Sequence, residues 1–492
     1  MTTPASFPGS SLVCAILLAS WQLLASLAPA DAATWRIDPS VSVEESYTDN
    51  VLLTPDNEQS DFITSIRPHV NIRGTGARLQ LTVDYGLERL FFADHSEGNR
   101  TVNNLRATGK AELIQDMFFV DAQAAMNEQF ISNRDAVSQS NTNISSNRTT
   151  VQTYNLSPYL RHHFGGWADS ESRYTFRNVS SGTQDFADTT TNELSFNLSS
   201  GRRFGRLGWT LRADEERSNR SRSSTLGAAS TYSRRTLAAD IRYALYRWMS
   251  LVGTYGYERI RDQTLTNAPN GPFWSAGVQL TPGPRSSVRA TYGHRFNSES
   301  FNLDASYRPT SRTTFTATYS ETIQTTQQVL TTDLSFVGVG PDGQLIDTRT
   351  GLPFVFGNSA FGLVDQSFRR TRFAAAMVSK IDRNTFNVQA FDETRNREAA
   401  GNDENVIGGS VNWNRRLTHK TTLDLGASFQ STEFSGVSPR TDDLFIGNAR
   451  LNYQLLEDVR TWLTLNRTDR RSTIAANNIT ENVIAVGLRK DF

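Results

Sequence analysis

Apolar and polar residues alternate along most of this chain with a period of two. Leu79, Leu81, Val83, Tyr85 and Leu87 interleave with Gln80, Thr82, Asp84, Gly86 and Glu88. Leu423, Leu425, Ala427 and Phe429 interleave with Asp424, Gly426, Ser428 and Gln430. Further runs of the same kind include Leu207/Trp209/Leu211, Leu237/Ala239/Ile241/Tyr243, Trp274/Ala276/Val278/Leu280 and Phe301/Leu303/Ala305/Tyr307. Successive side chains of a strand point to opposite faces, so each run predicts a β-strand with one greasy face. The spacing of three and four that marks an amphipathic helix is absent through most of the chain.

The connections carry a second pattern. Short ones fall near Gly74, Gln115, Gly165, Arg203, Arg247, Gly283, Thr310, Asp382, Thr418 and Glu457. Longer, more polar ones fall near 51–60, 93–99, 131–149, 180–188, 217–232, 262–271, 296–299, 326–365, 397–403, 434–441 and 468–478. Short and long alternate, as in barrels with brief periplasmic turns and extended outer loops. A soluble sandwich has no reason to keep its long loops on one side, and no blade-length repeat suggests a propeller. Ten short turns and eleven long loops join 22 strands, within a range of about 18 to 24. An even count predicts both termini in the periplasm. The fold class expected is all-β, a large antiparallel transmembrane barrel of the outer membrane over 33–492. Pro39, Pro68 and Pro158 fall inside strand-like runs and predict bulges or locally open pairing.

The chain ends on I-T-E-N-V-I-A-V-G-L-R-K-D-F, with Leu488, Val486 and Ile484 in register with the terminal Phe492. Gly487, Leu488 and Phe492 match the closing-strand signature by which barrels are inserted, whereas Lys490 stands where an apolar residue is usual. The closing strand must pair with the first, because unpaired backbone in lipid costs several kcal/mol per group, roughly. The barrel-assembly machinery and outer-membrane lipid are the partners this predicts.

At the other end, Leu12 to Leu27 are mostly apolar, and Ala30-Asp31-Ala32 offers a cleavage site before Ala33. Residues 1–32 are therefore expected to be a signal peptide. The sole cysteine, Cys14, lies within it, so the mature chain has no thiol and no disulfide framework. The longest connection, 327–365, contains Leu334 to Val339, the turn signal Pro341-Asp342-Gly343, and Leu345-Ile346-Asp347. It reads as an outer loop carrying a hairpin, able to cap the barrel or dip into it.

Mean hydropathy is −0.45 and Lys+Arg equal Asp+Glu at 50 each. A balanced charge implies no nucleic-acid partner, and only alternate residues of a barrel need be apolar. Arginines cluster at 202–203, 234–235, 369–370, 415–416 and 470–471. They either form a cationic mouth for an anionic polymer or pair with acids across neighbouring strands; the equal charge totals favour pairing. Tyr243, Tyr246, Trp248, Tyr307, Trp413, Tyr453 and Trp462 suit interfacial girdles. The six histidines show no metal-ligand spacing, and His162-His163 on a strand point opposite ways. G-x-S-x-G, H-E-x-x-H and phosphate-binding glycine loops are absent from the sequence. No catalytic residue, cofactor site or metal site is expected.

The mature opening W-R-I-D-P-S-V-S-V-E-E-S-Y-T-D-N, from Trp35 to Asn50, is followed by Ser60-Asp61-Phe62 and Arg67-Pro68. It resembles the PEP-CTERM system-associated outer-membrane proteins, β-barrels linked to exosortase and exopolysaccharide gene clusters. The resemblance implies a channel or accessory component in exopolysaccharide secretion, with polysaccharide and periplasmic export proteins as partners. A structural or docking barrel without transport is the alternative; a barrel enzyme acting on lipid or glycan is a weaker one.

Overall fold

The computed structural model describes residues 33–492 apart from 139, 225, 336, 340–344, 348–360, 398–402 and 437. The first strands are β1 (Ala33–Thr48), β2 (Asp61–Gly76), β3 (Leu79–Phe92), β4 (Arg100–Ile114), β5 (Phe118–Phe130) and β6 (Arg148–His163). Next come β7 (Ala168–Ser181), β8 (Thr189–Ser200), β9 (Leu207–Arg220), β10 (Ser230–Tyr246), β11 (Met249–Arg261) and β12 (Asn270–Gly283). They are followed by β13 (Ser286–Arg295), β14 (Ser298–Thr310), β15 (Thr313–Gln324), helix α1 (Thr326–Ser335) and the two short strands β16 (Val337–Val339) and β17 (Leu345–Asp347). The chain closes with β18 (Phe368–Ile381), β19 (Asn384–Asn396), β20 (Glu404–Arg416), β21 (Thr421–Phe434), β22 (Arg440–Gln454), β23 (Val459–Ser472) and β24 (Ile479–Asp491).

All strands except β16 and β17 form one antiparallel sheet of 22, each paired with its neighbours in the chain. The sheet closes because β1 also pairs with β24, from Ser40 opposite Asp491 to Thr48 opposite Val483. At the end of this seam Phe492 donates its N–H to the Pro39 carbonyl at 3.0 Å. The strands run 10 to 17 residues, and about 9–11 cross a bilayer, so the longer staves project beyond it. The ten short connections and ten of the eleven long ones fall where the alternation of the sequence places them; the eleventh, between β13 and β14, is the two-residue turn Phe296–Asn297. At Pro68 and Pro158 the ladder opens on one side only, whereas the gap expected at Pro39 is absent from the β1–β2 ladder, where Pro39 stays opposite Val70. Pairing of β2 with β3 skips from Ile66 to His69, and that of β6 with β7 from Leu156 to Tyr159.

The outward register is apolar: Leu237, Ile241, Tyr255, Leu194 and Val486 all stand well exposed on the surface. Tyr243, Tyr246, Trp248, Tyr307 and Tyr453 are also exposed there, with Tyr246 stacked on Trp248. Trp462 is not in the girdle. It is only 7% exposed and shares the inward register, because Leu463 and Leu465 take the outer one. The 327–365 stretch holds the expected hairpin, β16 against β17 with Val337 opposite Asp347. It also holds a helix where the sequence reading had loop and strand. Thr325 and Gln328 cap α1 reciprocally: Thr325 N–H donates to Gln328 Oε1 at 2.8 Å and Gln328 N–H to Thr325 Oγ1 at 3.2 Å. This T-x-x-Q box was the missed signal.

Candidate functional site

Two connections lie across the long-loop mouth and dock on its inner rim. One joins β5 to β6. It closes on itself through Asn147, whose side chain accepts from Ser132 N–H at 2.8 Å and donates to the Ser132 and Ala136 carbonyls. From there it reaches along the rim to β24, five strands away. Ser140 Oγ donates to Glu481 of β24 at 3.1 Å, and Ser138 and Asn143 also bind that carboxylate. Thr48 of β1 donates to it from the wall, at 3.2 Å. Ile144 N–H donates to the Val51 carbonyl at 2.7 Å. Its side chain packs on the cluster of Val51, Ile63, Leu90, Phe92 and Val102.

Arginines of the wall hold this loop by its backbone carbonyls. Arg148 donates to Ser138 and Ser140 at 2.9 and 2.6 Å, and Arg100 to Asn143 and Asn141 at 2.8 and 3.1 Å. From β23 Arg470 reaches the carbonyls of Asn133, Arg134 and Asp135, while pairing with Asp442 at 2.6 Å. Arg134 lies over the Phe434 ring at 4.3 Å. Its burial lowers its pKa from the usual arginine value, with Glu404 opposing the shift.

The second connection runs from β15 to β18. Helix α1 leaves the end of β15 and sets Leu330 among Ala125, Val151, Val179 and Phe186 on the inner side of β5 to β7. The chain then returns through Asp365, which is 1% exposed. Its carboxylate accepts from Ala187 N–H at 2.8 Å, Ser223 at 2.5 Å and Gln327 at 2.9 Å. Its carbonyl accepts from Arg220, which pairs with Asp262 at 2.5 Å. Burial raises the Asp365 pKa above the ordinary aspartate value, although these hydrogen bonds and the Arg220 charge pull the other way. Phe361 lies under the Arg395 guanidinium at 3.5 Å. The two connections meet where Leu363 N–H donates to the Ile131 carbonyl at 2.9 Å. Together they form a lid joined to most of the ring by hydrogen bonds instead of a continuous apolar core.

Below the lid the lumen wall is polar and its charges are largely paired. Arg67 bridges Glu44 and Glu88 at 2.9 and 2.7 Å, Arg212 pairs Asp240 at 2.7 Å, and Arg173 pairs Asp121 and Glu171 at 3.1 Å each. Glu393, with no exposed side-chain surface, takes Arg370, Arg372 and Arg395 at 2.7, 2.5 and 2.8 Å. Adjacent arginines of the sequence clusters separate onto opposite faces: Arg234 pairs with lumenal Glu258, Arg235 with exposed Glu215. Aromatic rings do face the lumen, yet both their faces are covered. Phe273 lies on Gly256 beneath Arg295, Phe391 on Gly408 beneath Arg372, and Trp462 on Gly487 beneath Arg450. They serve as packing, not as open sugar platforms.

Of the residues singled out in the sequence, Gly487 faces the lumen under Trp462. Leu488 lies opposite Val43 on the outer face, and Phe492 is 74% exposed beyond the seam. Ala33 begins β1; Ala30, Ala32 and the rest of the leader lie outside the described residues. His163 pairs with Asp169 at 2.6 Å while His162 turns to Phe164, on opposite faces as the alternation requires. Among the described residues no three His, Cys, Asp or Glu side chains converge as a metal site would need. The lid anchors were not foreseen: Glu481 is 338 to 343 residues from the loop it binds. The apolar Val137 and Ile144 within a Ser/Asn-rich loop were the available hint.

A closed antiparallel barrel with a lipid-matched exterior and a polar bore defines an integral β-barrel protein of the outer membrane, channel-like in architecture. The chain belongs to the family described as "Putative beta-barrel porin 2", whose model matches residues 30–169 and 357–492. Among solved structures it is similar to the siderophore receptor PirA from Acinetobacter baumannii, with 8% identity and a TM-score of 0.52. That match covers 93% of this chain and 81% of the other. It is also similar to a chain of the FpvAI–pyocin S2 complex, at 10% identity and TM-score 0.51, covering 93% of this chain and 70% of that one. At such identities the likeness shows the fold alone. No curated protein matches the chain in sequence.

Proposed function

We propose that the protein is a lidded outer-membrane channel for exopolysaccharide secretion, working beside a PEP-CTERM/exosortase sorting system. The observation that carries this reading is a 22-strand bore lined by hydrogen-bonding side chains and paired charges, under a lid held by polar contacts. A wall of this kind suits a hydrated, hydroxyl-rich polymer: it offers donors and acceptors without a continuous band of one charge. The polysaccharide and the sorting system come from the resemblance of Trp35 to Asn50. Short turns and both termini lie in the periplasm, the lid lies outside, and Gly487, Leu488 and Phe492 form the signal read by the assembly machinery. Export proteins of the periplasm dock at the short-turn rim, and no chemical step is assigned to the barrel.

A second reading has the lid permanently shut and the barrel serving as a docking scaffold. The extent of the lid favours it, since strands on most sides of the mouth contribute anchors. Deletion of the gene, with polysaccharide measured at the cell surface and in the periplasm, tests the first reading. Periplasmic accumulation supports export, and an unchanged distribution rejects it. Planar-bilayer recording separates the two, because only the first allows steady currents.

A further inference from the structure

The short-turn rim carries a one-sided charge that the ion pairs of the bore do not explain. The β8–β9 turn holds Arg202, Arg203 and Arg206. The next four short turns in order hold Arg247, Arg285, Arg312 and Arg383, and the β20–β21 turn holds Lys420. All are exposed, and Asp382, 4.0 Å from Arg312, is the one acid in these six turns. The other four short turns carry Arg78 against Asp116, Glu457 and Asp458. Half the rim is thus a cationic crescent and the other half is neutral to acidic.

We infer that this crescent captures an acidic glycan, one bearing carboxylates along its length, at the mouth from which the polymer enters. The inference rests on the export reading above and narrows its substrate. One feature favours a threading polymer over a docked acidic protein. The charge continues inward: Arg308 and Arg416 lie on the lumen-facing register of β14 and β20, since Tyr307 and Trp413 take the outer one. Deeper still, Arg242 makes its hydrogen bond to neutral Ser250, at 3.2 Å. A partner seated on the turn tips would have no use for cations facing the bore. Seven of the eight turn cations are also arginines, whose planar fork takes a carboxylate by two parallel hydrogen bonds. Charge of one sign at a channel mouth concentrates the opposite ion and speeds its capture.

The test uses the purified full-length barrel in detergent, with polygalacturonate and neutral dextran of matched length as probes. The wild type is expected to bind polygalacturonate in a salt-dependent manner and dextran at least about tenfold more weakly. The combined variant Arg285→Gln, Arg312→Gln, Arg383→Gln and Arg416→Gln is expected to lose about tenfold in polygalacturonate affinity. Lysine at the same four positions should keep it within about threefold, and Arg78→Gln on the opposite half should leave it unchanged. Heat-modifiable gel mobility checks that each variant is folded. Equal binding of both polymers overturns the inference, as does an unaltered affinity in the glutamine variant. Binding of neither polymer also overturns it. Because binding is read without conduction, failure here is distinct from failure of the channel reading, which bilayer currents report.

Discussion

The indole of Trp462 lies flat on Gly487 of the neighbouring strand, and its Nε1–H donates to Glu44 across the closing seam at 2.6 Å. A single side chain on β23 therefore spans β24 and reaches β1. A Cβ at position 487 would sit 2.2 Å from Trp462 Cζ2, a distance that forces the ring to move. Gly487→Ala is expected to destabilise the closed barrel by about 1–3 kcal/mol, the usual cost of overpacking. Trp462→Phe keeps the cover but drops a hydrogen bond to a carboxylate, worth about 1.5–3 kcal/mol. Both should lower the temperature at which the purified protein loses its heat-modifiable gel mobility. Phe492→Ala, outside this stack, should affect assembly yield more than melting.

The wall of the barrel was legible in the sequence because its physics is local. A period of two, broken by turn residues, located the strands, and loop length separated the two rims. The prolines at 68 and 158 foretold gaps in the ladder for the same reason: an absent N–H is a local fact. The lid was not legible. Its anchors join residues hundreds of positions apart, such as Ser140 to Glu481 and Arg470 to Asn133, and nothing local marks which serine meets which carboxylate. The two misread elements did carry local signals. Thr325 to Gln328 is a capping box, and the neighbours Leu463 and Leu465 fix Trp462 as inward. Lys490 shows how an exception to the terminal signature is tolerated: on the outer register, it reaches the rim and pairs with Asp458 of the adjacent turn.

Glu393 sits among three arginines with no side-chain exposure, so its charge is needed to balance theirs. Removing one partner of a buried ion cluster costs about 3–5 kcal/mol, since the remaining charges lose compensation. Glu393→Gln is therefore expected to reduce the yield of assembled barrel sharply, as read by protease-resistant protein in outer-membrane fractions. Pairing the change with Arg370→Gln and Arg372→Gln removes excess charge and should restore part of the yield. Failure of that rescue would mean that the glutamate acts through shape rather than charge.

Arg148 of β6 and Arg470 of β23 hold the β5–β6 loop at two separate points through its carbonyls. Each carbonyl left unpaired weakens lid docking, and hydrogen bonds from a charged donor contribute about 1.5–3 kcal/mol apiece; in the wall, Asp442 loses Arg470 but keeps Arg440 at 2.9 Å. The double variant Arg148→Ala and Arg470→Ala is expected to keep its strand content by circular dichroism. In planar bilayers it should show larger and noisier conductance than the wild type, by severalfold. Identical currents would show that the lid does not limit passage.

The last prediction concerns acidity at the junction of the two lid segments. Asp365 is buried, and burial raises its pKa above the ordinary aspartate value when the lid is docked; on detachment it is hydrated and returns to that value. The docked state thus holds a proton more tightly than the detached one. Docking is strongest below the ordinary aspartate pKa and loses this contribution as pH rises through the raised one. The charged groups beside Asp365 are Arg220 of β9 and Asp262 after β11, which is held by Arg220 and Ser367. Lid opening, followed by the accessibility of a cysteine placed at Val137 in a Cys14→Ser background, should therefore become more frequent from acidic toward neutral pH. Asp365→Asn mimics the protonated form and should flatten that dependence at the low-opening level. A pH profile unchanged by Asp365→Asn would assign the response to another group.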